Sequence, residues 1–433
     1  MNMNRNNPAN SSAGCTPATP AAIAECEVVV VGGGPVGLLA ANLLGLAGIH
    51  TLVFEKRAQP PQESMAIGIT PPSLEILKPL GLDIVFEREG LPVVNAGVFE
   101  AQTPLGRLDF SGIDSDYRYF LSLPQSKTIE ILSRNLSRFP SVTCFRGAEF
   151  LGFEQSGQSI HARMKELDLG LEYRVSAQFL VGADGHRSRV REQAGLTTRE
   201  KTYPQKFVMA DFDDSSSLGK EARLFFNAEA SVESFPLPGG KRRWIVLANQ
   251  RGETPPLDYL VAQVRRLTGL ELAHANADYV SGFGARRMEV SRYYSGRTAL
   301  CGDAAHVMSS IGGQGMNTGF ADAEMLVAIL VQALKYQAPA EPMLREYDRI
   351  RRKAFRVAAA RAARGMWLGT RRGRLASRLR KHFIRDFLFS PWMAGKLAPY
   401  FSMLTVPGNN LSHARAAWHA TFLSSLNSAV PTN

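Results

Sequence analysis

Three places in the chain set glycines close to an acid at spacings that suit ligand chemistry. The last of them reads Gly302-Asp303-Ala304-Ala305-His306 and runs on through Gly312-Gly313-Gln314-Gly315-Met316-Asn317. A strand ending in Gly-Asp puts a carboxylate at the carboxyl end of a sheet, where open α/β folds hold their ligands. Asp303 there can accept hydrogen bonds from a polyol. The glycines that follow let backbone N–H groups approach a flat ring, and a helix beginning near Gly315 turns its positive end toward it. The second place is Gly182-Ala183-Asp184-Gly185-His186-Arg187. The first is Gly32, Gly34 and Gly37, a Gly-x-Gly-x-x-Gly lying between Val28-Val29-Val30-Val31 and an Ala/Leu-rich run. In that pattern Gly32 allows the tight turn, Gly34 lets backbone approach a pyrophosphate, and Gly37 lets helix and strand pack closely. Pro35 and Val36 open the helix, whose unpaired N–H groups suit two phosphates. Glu55 lies eighteen residues beyond Gly37 at the end of a second strand, close to the ~20 expected of the acid that binds a ribose hydroxyl. Strand, glycines, helix, strand and acid in this order predict a bound dinucleotide. They leave FAD and NAD both open.

The elements that must position these residues follow from periodicity and punctuation. A helix is predicted from Pro71 to Leu80 and an amphipathic one from Thr128 to Phe139, with Ile129, Leu132 and Leu136 on one face. Residues 93–110 alternate as a hairpin, Val93 to Ala101 and Leu105 to Phe110, joined across Thr103-Pro104. Strands run from Val142 to Leu180 and through 203–250, with turns at Asp213-Asp214 and Pro238-Gly239-Gly240. A helix at 257–268 and a strand from Arg286 to Tyr294 precede the short buried strand Arg297–Cys301. A long helix then begins near Gly315 and continues to Leu334.

Composition sets the bounds. At 433 residues the chain buries a large core and holds about two domains. Residues 1–22 carry only Arg5 as a charge and read as a disordered tail without the pattern of a secretory signal. No run approaches ~20 uninterrupted apolar residues, so no spanning helix is expected. Of the four cysteines, none pairs at metal-ligand spacing; Cys144 and Cys301 read as inert core residues, and a reducing cytoplasm is the simplest setting. The net charge of +11 is uneven: residues 341–400 hold 16 Lys+Arg against 4 Asp+Glu, so the rest of the chain sums to −1. That argues against nucleic acid and for a helical segment with a local basic surface of solvated arginines.

The order and spacing of the three motifs resemble the group A aromatic hydroxylases, the single-component flavoprotein monooxygenases of the para-hydroxybenzoate hydroxylase family, over roughly residues 25–340. The resemblance implies an α/β chain: a discontinuous Rossmann-like FAD-binding domain (24–92 with 111–200 and 295–340), a substrate-binding sheet (93–110 with 201–294) and a C-terminal basic helical segment (341–433). It implies non-covalent FAD held by Gly32, Gly34, Pro35, Val36 and Gly37 at the pyrophosphate, Glu55 at the ribose, Gln125 at the flavin side chain, and Asp184 with Arg187 on the pyrophosphate side and the path of NADH or NADPH. Gly302 and Asp303 complete the set, with the backbone of Gly315, Met316 and Asn317 against the flavin. It implies that NAD(P)H reduces the flavin, that O2 adds at C4a, and that the hydroperoxide oxygenates an aromatic, phenolic or quinone-like molecule. His306 falls at a structural position near the cofactor, so no catalytic base is named and no metal is expected.

Two departures from the family pattern matter. Where many members begin an Arg-Ala-x-Gly segment near the flavin, this chain has Met65-Ala66-Ile67-Gly68; where many have Pro-Pro, it has Ser309-Ser310. The first removes a cationic contact, and the second loosens a loop and adds hydroxyls. Three rival readings stay open. A halogenase of the same fold carries Trp-x-Trp-x-Ile-Pro, whereas Trp244, Trp367, Trp392 and Trp418 lie far apart. A non-catalytic FAD-binding protein is the second. The third is a quinone or prenyl-lipid enzyme at a membrane surface, touching anionic lipid through the basic and aromatic residues of 341–401. About 100 residues follow the last motif, too few for a helical segment plus the thioredoxin-like domain of the phenol hydroxylases.

Overall fold

The computed structural model describes residues 16–17, 24–61, 65–248, 256–272, 277–309 and 312–409. Most of the stretch expected to be a tail therefore lies outside the described residues, as do Cys15, Ser310 and Trp418. Within that stretch Thr16–Pro17 pairs in parallel with Val142–Arg146.

The sheet that carries the motifs places Val142–Arg146, Thr51–Glu55, Val28–Val31, Phe179–Gly182 and Thr298–Leu300 side by side, all parallel. Helices cover such a sheet, which is why Val28–Val31 is an unbroken β-branched run buried at all four positions. The fingerprint helix Pro35–Leu46 is buried almost all round because it lies between the sheet, the helix Gln125–Asn135 and the long helix Gln314–Lys335. Its buried Asn42 is satisfied by the carbonyls of Leu38 and Leu132, at 2.7 and 2.9 Å, and by the Asn135 amide at 2.7 Å. All three motifs leave strands of this one sheet at their carboxyl ends, so the topology alone brings them together.

The second large sheet has eight strands, in the order His306–Val307, Ala277–Val290, Thr198–Asp213, Lys241–Ala248, Ser231–Leu237, Ala222–Phe226, Asn95–Glu100 and Thr103–Asp109. The early hairpin joins the later strands by a parallel pairing, Ala222 to Phe225 beside Ala96 to Phe99. One face packs on the helix Leu257–Thr268 around the buried Trp244, Val246, Leu260 and Val264. The other face, with Met209, Leu224, Phe235 and Ile245, lines a cavity.

Several boundaries differ from expectation. The hairpin turns at Ala101-Gln102, with Ala101 at φ 51°, and Thr103-Pro104 lies inside the last strand. That strand is an edge, where a proline's missing N–H costs no ladder bond. The strand expected from Arg286 begins at Ala277 and ends at Val290. Cys144 is disulfide-bonded rather than a free core thiol. The basic segment forms the helices Ala340–Thr370, Arg374–His382 and Pro391–Phe401, but its arginines are not all solvated. Arg351, Arg361 and Arg380 are buried and donate to the carbonyls of Gly408, Tyr400 and Phe226 respectively. Among the described residues no helix is long and apolar enough to cross a membrane.

Gly37 tests the packing of the first motif. A Cβ built there would lie 2.0 Å from the Gly32 carbonyl oxygen, against backbone that cannot swing aside. Helix propensity alone favours alanine over glycine by ~1 kcal/mol. Gly37→Ala is nevertheless expected to destabilise by about 1–3 kcal/mol, as overpacking does, and to lower cofactor retention. Thermal unfolding and the flavin content of the purified variant check this.

Candidate functional site

A single cavity of about 1890 Å³ lies between the parallel sheet, the open face of the eight-stranded sheet and the C-terminal helices. Of the fourteen residues singled out in the sequence, Gly32, Gly34, Pro35, Val36, Glu55, Gln125, Asp184, Arg187, Asp303, Gly315 and Met316 line it. Gly37, Gly302 and Asn317 do not; they hold the lining in place.

The first and second motifs interlock through backbone. Gly32 has φ 113°, and a Cβ on it would lie 2.3 Å from the Ala183 carbonyl oxygen. The Gly32 N–H donates to the Phe54 carbonyl at 2.8 Å, and the Ala183 N–H to that of Val31 at 2.8 Å. Glu55 accepts from the Gly33 N–H at 2.6 Å through one oxygen and from the Arg57 N–H at 2.9 Å through the other, so the acid is held at the cavity edge by backbone alone. Gly34 is different: no atom lies within 4 Å of where its Cβ would be, and it faces the cavity. A cradle of that kind fits a group that comes close to bare backbone.

Asp184 does not pair with the exposed Arg187. One carboxylate oxygen accepts from the N–H groups of Arg189 and Val190 at 2.8 and 3.1 Å, while the other is buried with no hydrogen-bond partner among the described residues. Burial raises its carboxyl above the usual range, with hydrogen bonds from Ser188, Val190 and Arg189 pulling it back. Buried Arg191 joins this motif to the third by donating to the carbonyls of Ala304 and His186, both at 3.0 Å. Gln125 grips the departing segment: its side-chain oxygen accepts from the Ala66 N–H at 3.1 Å, and its own N–H donates to the Ala66 carbonyl at 2.9 Å.

At the third motif the side chain of Asp303 is open to the cavity rather than packed. The surrounding protein raises its carboxyl above the usual value, and the charges of His306 and Arg286 act in the opposite sense. The long helix begins at Gln314 after Gly313 at φ 63°, with no side chain capping it. The fingerprint helix likewise begins at Gly34 uncapped. Unpaired N–H groups at two helix starts are normally satisfied by a cap, water or a ligand; here both starts line the same cavity. Asn317, although on the third motif, uses its side chain as a staple. It accepts from the Thr70 N–H and Ser73 hydroxyl at 2.9 and 2.7 Å and donates to the carbonyls of Gly68 and Gly313 at 2.9 and 2.7 Å. It is buried behind the lining and does not itself reach the cavity.

Behind the motif lies a network that the sequence did not announce. Asp322, fully buried, accepts from the Gly302 N–H at 3.0 Å and the Arg351 guanidinium at 2.7 Å, and faces His306 Nε2 at 2.6 Å. Burial opposes its charge, but His306 and Arg351 together outweigh burial and hold the carboxyl below its usual value of 3.8. An ionised carboxylate only accepts, so His306 Nε2 carries the hydrogen. The imidazole stacks on Phe355 at 4.8 Å and does not line the cavity. The departure at Met65 has a partial answer: Arg243 donates to the Met65 carbonyl at 2.9 Å while gripping Asp211 with two bonds of 2.6 and 2.8 Å. Arg243 comes from the other sheet, so motif reading around residue 65 could not find it. Among the described residues no cluster suited to a metal occurs.

Comparison with known proteins agrees with this geometry. The family model for an FAD binding domain matches residues 25–362. An uncharacterized aromatic compound monooxygenase, YhjG, of Bacillus subtilis (strain 168) is 34% identical over 327 residues, covering 72% of this chain and 63% of its own. The solved anhydrotetracycline hydroxylase OxyS of Streptomyces rimosus aligns with a TM-score of 0.73 at 29% identity, over 88% of this chain and 76% of its own. The p-nitrophenol 4-monooxygenase PnpA of Pseudomonas putida DLL-E4 shares the fold, with a TM-score of 0.81 at 24% identity over 88% of this chain and 99% of that one. The chain spans 55–66% of the length of the curated relatives it matches.

Removing the guanidinium tests the buried network. Arg351→Met strands the Asp322 charge in the interior, and breaking a buried pair costs about 3–5 kcal/mol. A carboxyl held below 3.8 adds stability that is present above that pH and lost as pH falls beneath it. The stability gap between wild type and variant is therefore expected to be full at pH 7 and to shrink below about pH 4 in denaturant titrations. A gap independent of pH would show that the ion pair contributes nothing. Fold, motifs and family model converge: the chain belongs to the FAD-binding family of group A flavoprotein monooxygenases that resemble para-hydroxybenzoate hydroxylase.

Proposed function

We propose that the protein is an FAD-dependent, NAD(P)H- and O2-consuming monooxygenase that hydroxylates an aromatic or phenolic small molecule. The observation that carries this is the division of the cavity. One side presents two uncapped helix starts, the Gly34 cradle and the acids Glu55 and Asp303; the other is a largely apolar sheet face. The polar side suits FAD: Gly32 to Val36 for the pyrophosphate with Gly37 behind them, Glu55 for the adenosine ribose, Asp303 for the ribityl chain, and the backbone at Gly315 and Met316, stapled from behind by Asn317, for the ring. Gln125 and Arg187 flank it, and Asp184 offers its unpartnered oxygen. Bound there, FAD supplies reduction by a nicotinamide and activation of dioxygen. The chain's own part is to place the ring at the start of the helix Gln314–Lys335, whose positive end favours a reduced, anionic flavin, and to keep water from it with the apolar wall. The named activities of YhjG and OxyS support an aromatic substrate.

The test is direct. The purified full chain, reconstituted with FAD if needed, is expected to show a flavin spectrum that NADH or NADPH bleaches under anaerobic conditions. With 18O2 and a panel of phenols, quinones and polycyclic aromatics, at least one product gains one labelled oxygen. Failure to bind FAD, or nicotinamide oxidation that yields only hydrogen peroxide with every compound, would falsify the reading.

A second reading concerns where the enzyme works. Six of the large exposed apolar residues, Trp367, Leu375, Leu379, Phe383, Phe387 and Trp392, fall between residues 367 and 392, interleaved with Arg371, Arg372, Arg374, Arg378, Lys381 and Arg385. Trp367 and Phe383 also line the cavity. Basic side chains flanking exposed aromatic ones suit the surface of an anionic bilayer, with a lipid-soluble substrate entering beside them. Co-sedimentation with phosphatidylserine-containing vesicles at low salt is expected and should weaken as salt rises. Leu375→Glu with Leu379→Glu should abolish it without loss of FAD. If wild type stays in the supernatant at low salt, the membrane reading is wrong.

A further inference from the structure

Alternate residues along the central strands of the eight-stranded sheet form the substrate wall, among them Phe207, Met209, Leu224, Phe235 and Ile245. Glu233 interrupts them. It lies on the strand Ser231–Leu237, in register with Leu224 on one neighbouring strand and Ile245 on the other, and is 8% exposed. Among the described residues its side chain makes no hydrogen bond and no ion pair, yet it lines the cavity.

The charges around it do not answer it. Arg243, on the strand Lys241–Ala248, is held at both ends by Asp211 and the Met65 carbonyl. Arg223 alternates to the opposite face from Leu224 and bonds Glu221 at 3.0 Å. Asp258, Arg265 and Arg266 belong to the helix Leu257–Thr268, which packs beneath the sheet's other face. Ser122, from the strand Phe120–Ser122 that packs nearby, donates to the Pro236 carbonyl at 2.6 Å. Arg361 on the cavity's helical side donates to the carbonyls of Tyr400 and Thr405, and Arg364 and Lys396 there are exposed. An unpartnered acid on an apolar wall is unfavourable unless it is neutralised or a ligand pairs with it.

We propose that Glu233 is the group that receives an aromatic hydroxyl of the substrate, accepting its hydrogen bond and then its proton. The assignment rests on the monooxygenase reading above and narrows it to substrates with a free hydroxyl on the ring that enters this wall. In the step, the phenolic O–H bond breaks and an O–H bond forms on the Glu233 carboxylate. The electron pair left on the phenolate oxygen enriches the ring carbons ortho and para to it, where an electrophilic oxygen adds. No redox change occurs in this transfer. Burial raises the Glu233 carboxyl from 4.5 to about 7. That brings it within about 3 units of an ordinary phenol near 10, a better match for proton transfer than a solvated carboxylate.

The experiment uses the FAD-loaded full chain with 2-naphthol and 2-methoxynaphthalene, which differ in the transferable proton. Binding is followed by the change in flavin absorption, and oxygenation by labelled product. Wild type at pH 8 is expected to prefer 2-naphthol by tenfold or more. Its kcat/KM for oxygenation should fall about tenfold per pH unit below about 7. Glu233→Gln should keep its FAD, lose the preference and flatten that limb. Glu233→Asp, with the carboxylate drawn back by one methylene, should retain part of both and decides the matter if the glutamine variant does not hold FAD. A glutamine variant with the preference and the pH limb intact overturns the proposal, as does a wild type that binds neither compound or favours the ether. A wild type that prefers 2-naphthol yet oxygenates nothing supports the hydroxyl site and sinks the monooxygenase reading instead, so the two failures are separable.

Discussion

The Asp322 carboxylate is the constraint on which the rest of the site depends. It is fully buried and ionised, so every contact it makes is charge-assisted and costly to lose. Through it the turn at Gly302, the imidazole of His306, the long helix and the Ala340–Thr370 helix share one point of attachment. Arg351 extends that point to the Thr318 carbonyl and to the backbone at Gly408. The Asp303 side chain, one residue from Gly302, is therefore set by a carboxylate on a helix rather than by its own loop. An acid at the rim of an open cavity needs such an anchor, because no packing holds it from the cavity side.

The same logic of anchoring from behind runs through the other two motifs. Glu55 is oriented by the Gly33 and Arg57 amides, Asp184 by the Arg189 and Val190 amides, and the Met65–Gly68 segment by Gln125 and Asn317. Side chains that line the cavity are held by main-chain donors, which lose little entropy on ligand binding because they are already fixed. The lining is thus held by the chain's own bonds, and its polarity is divided: fixed donors on one wall, and on the other a largely apolar face interrupted by Glu233.

How much of this can be read in the sequence depends on how local the physics is. The turn glycines, the buried valine strand and the acid at its expected spacing are local, and the three motifs fall at one end of one sheet as strand order requires. The helix at 257–268 is equally plain, since its apolar period and the following glycine mark both ends. The hairpin turn falls two residues before the Thr-Pro pair that suggests it, because Ala101 takes the positive φ without a glycine. Asp322 and Arg351 sit inside ordinary helices, 29 residues apart, and nothing in either helix marks them as partners. Glu233 sits in Ser-Val-Glu-Ser-Phe, where alternation puts it on either face until the register with Leu224 and Ile245 is known. Arg243 reaches Met65 across 178 positions of sequence. Such pairings belong to topology, not to pattern.

Charge shows the same limit from the opposite side. The excess of arginine after residue 340 reads as a basic surface, and in part it is one. Yet Arg351, Arg361 and Arg380 are spent inside, where five fixed N–H donors per guanidinium can satisfy several carbonyls at once. A lysine could supply three donors and a point charge but not that planar fork. Counting net charge therefore overstates the field that this face offers to a partner, and what remains outside is divided between the Ala340–Thr370 helix, with exposed Arg345, Arg349, Lys353, Arg356 and Arg364, and the Arg374–His382 helix and its flanks, beside the exposed Leu375, Leu379 and Phe383. An arginine-rich face with apolar side chains among its charges is poorly suited to stay bare in water. That juxtaposition, rather than the net charge, is what the proposed contact with an anionic bilayer rests on.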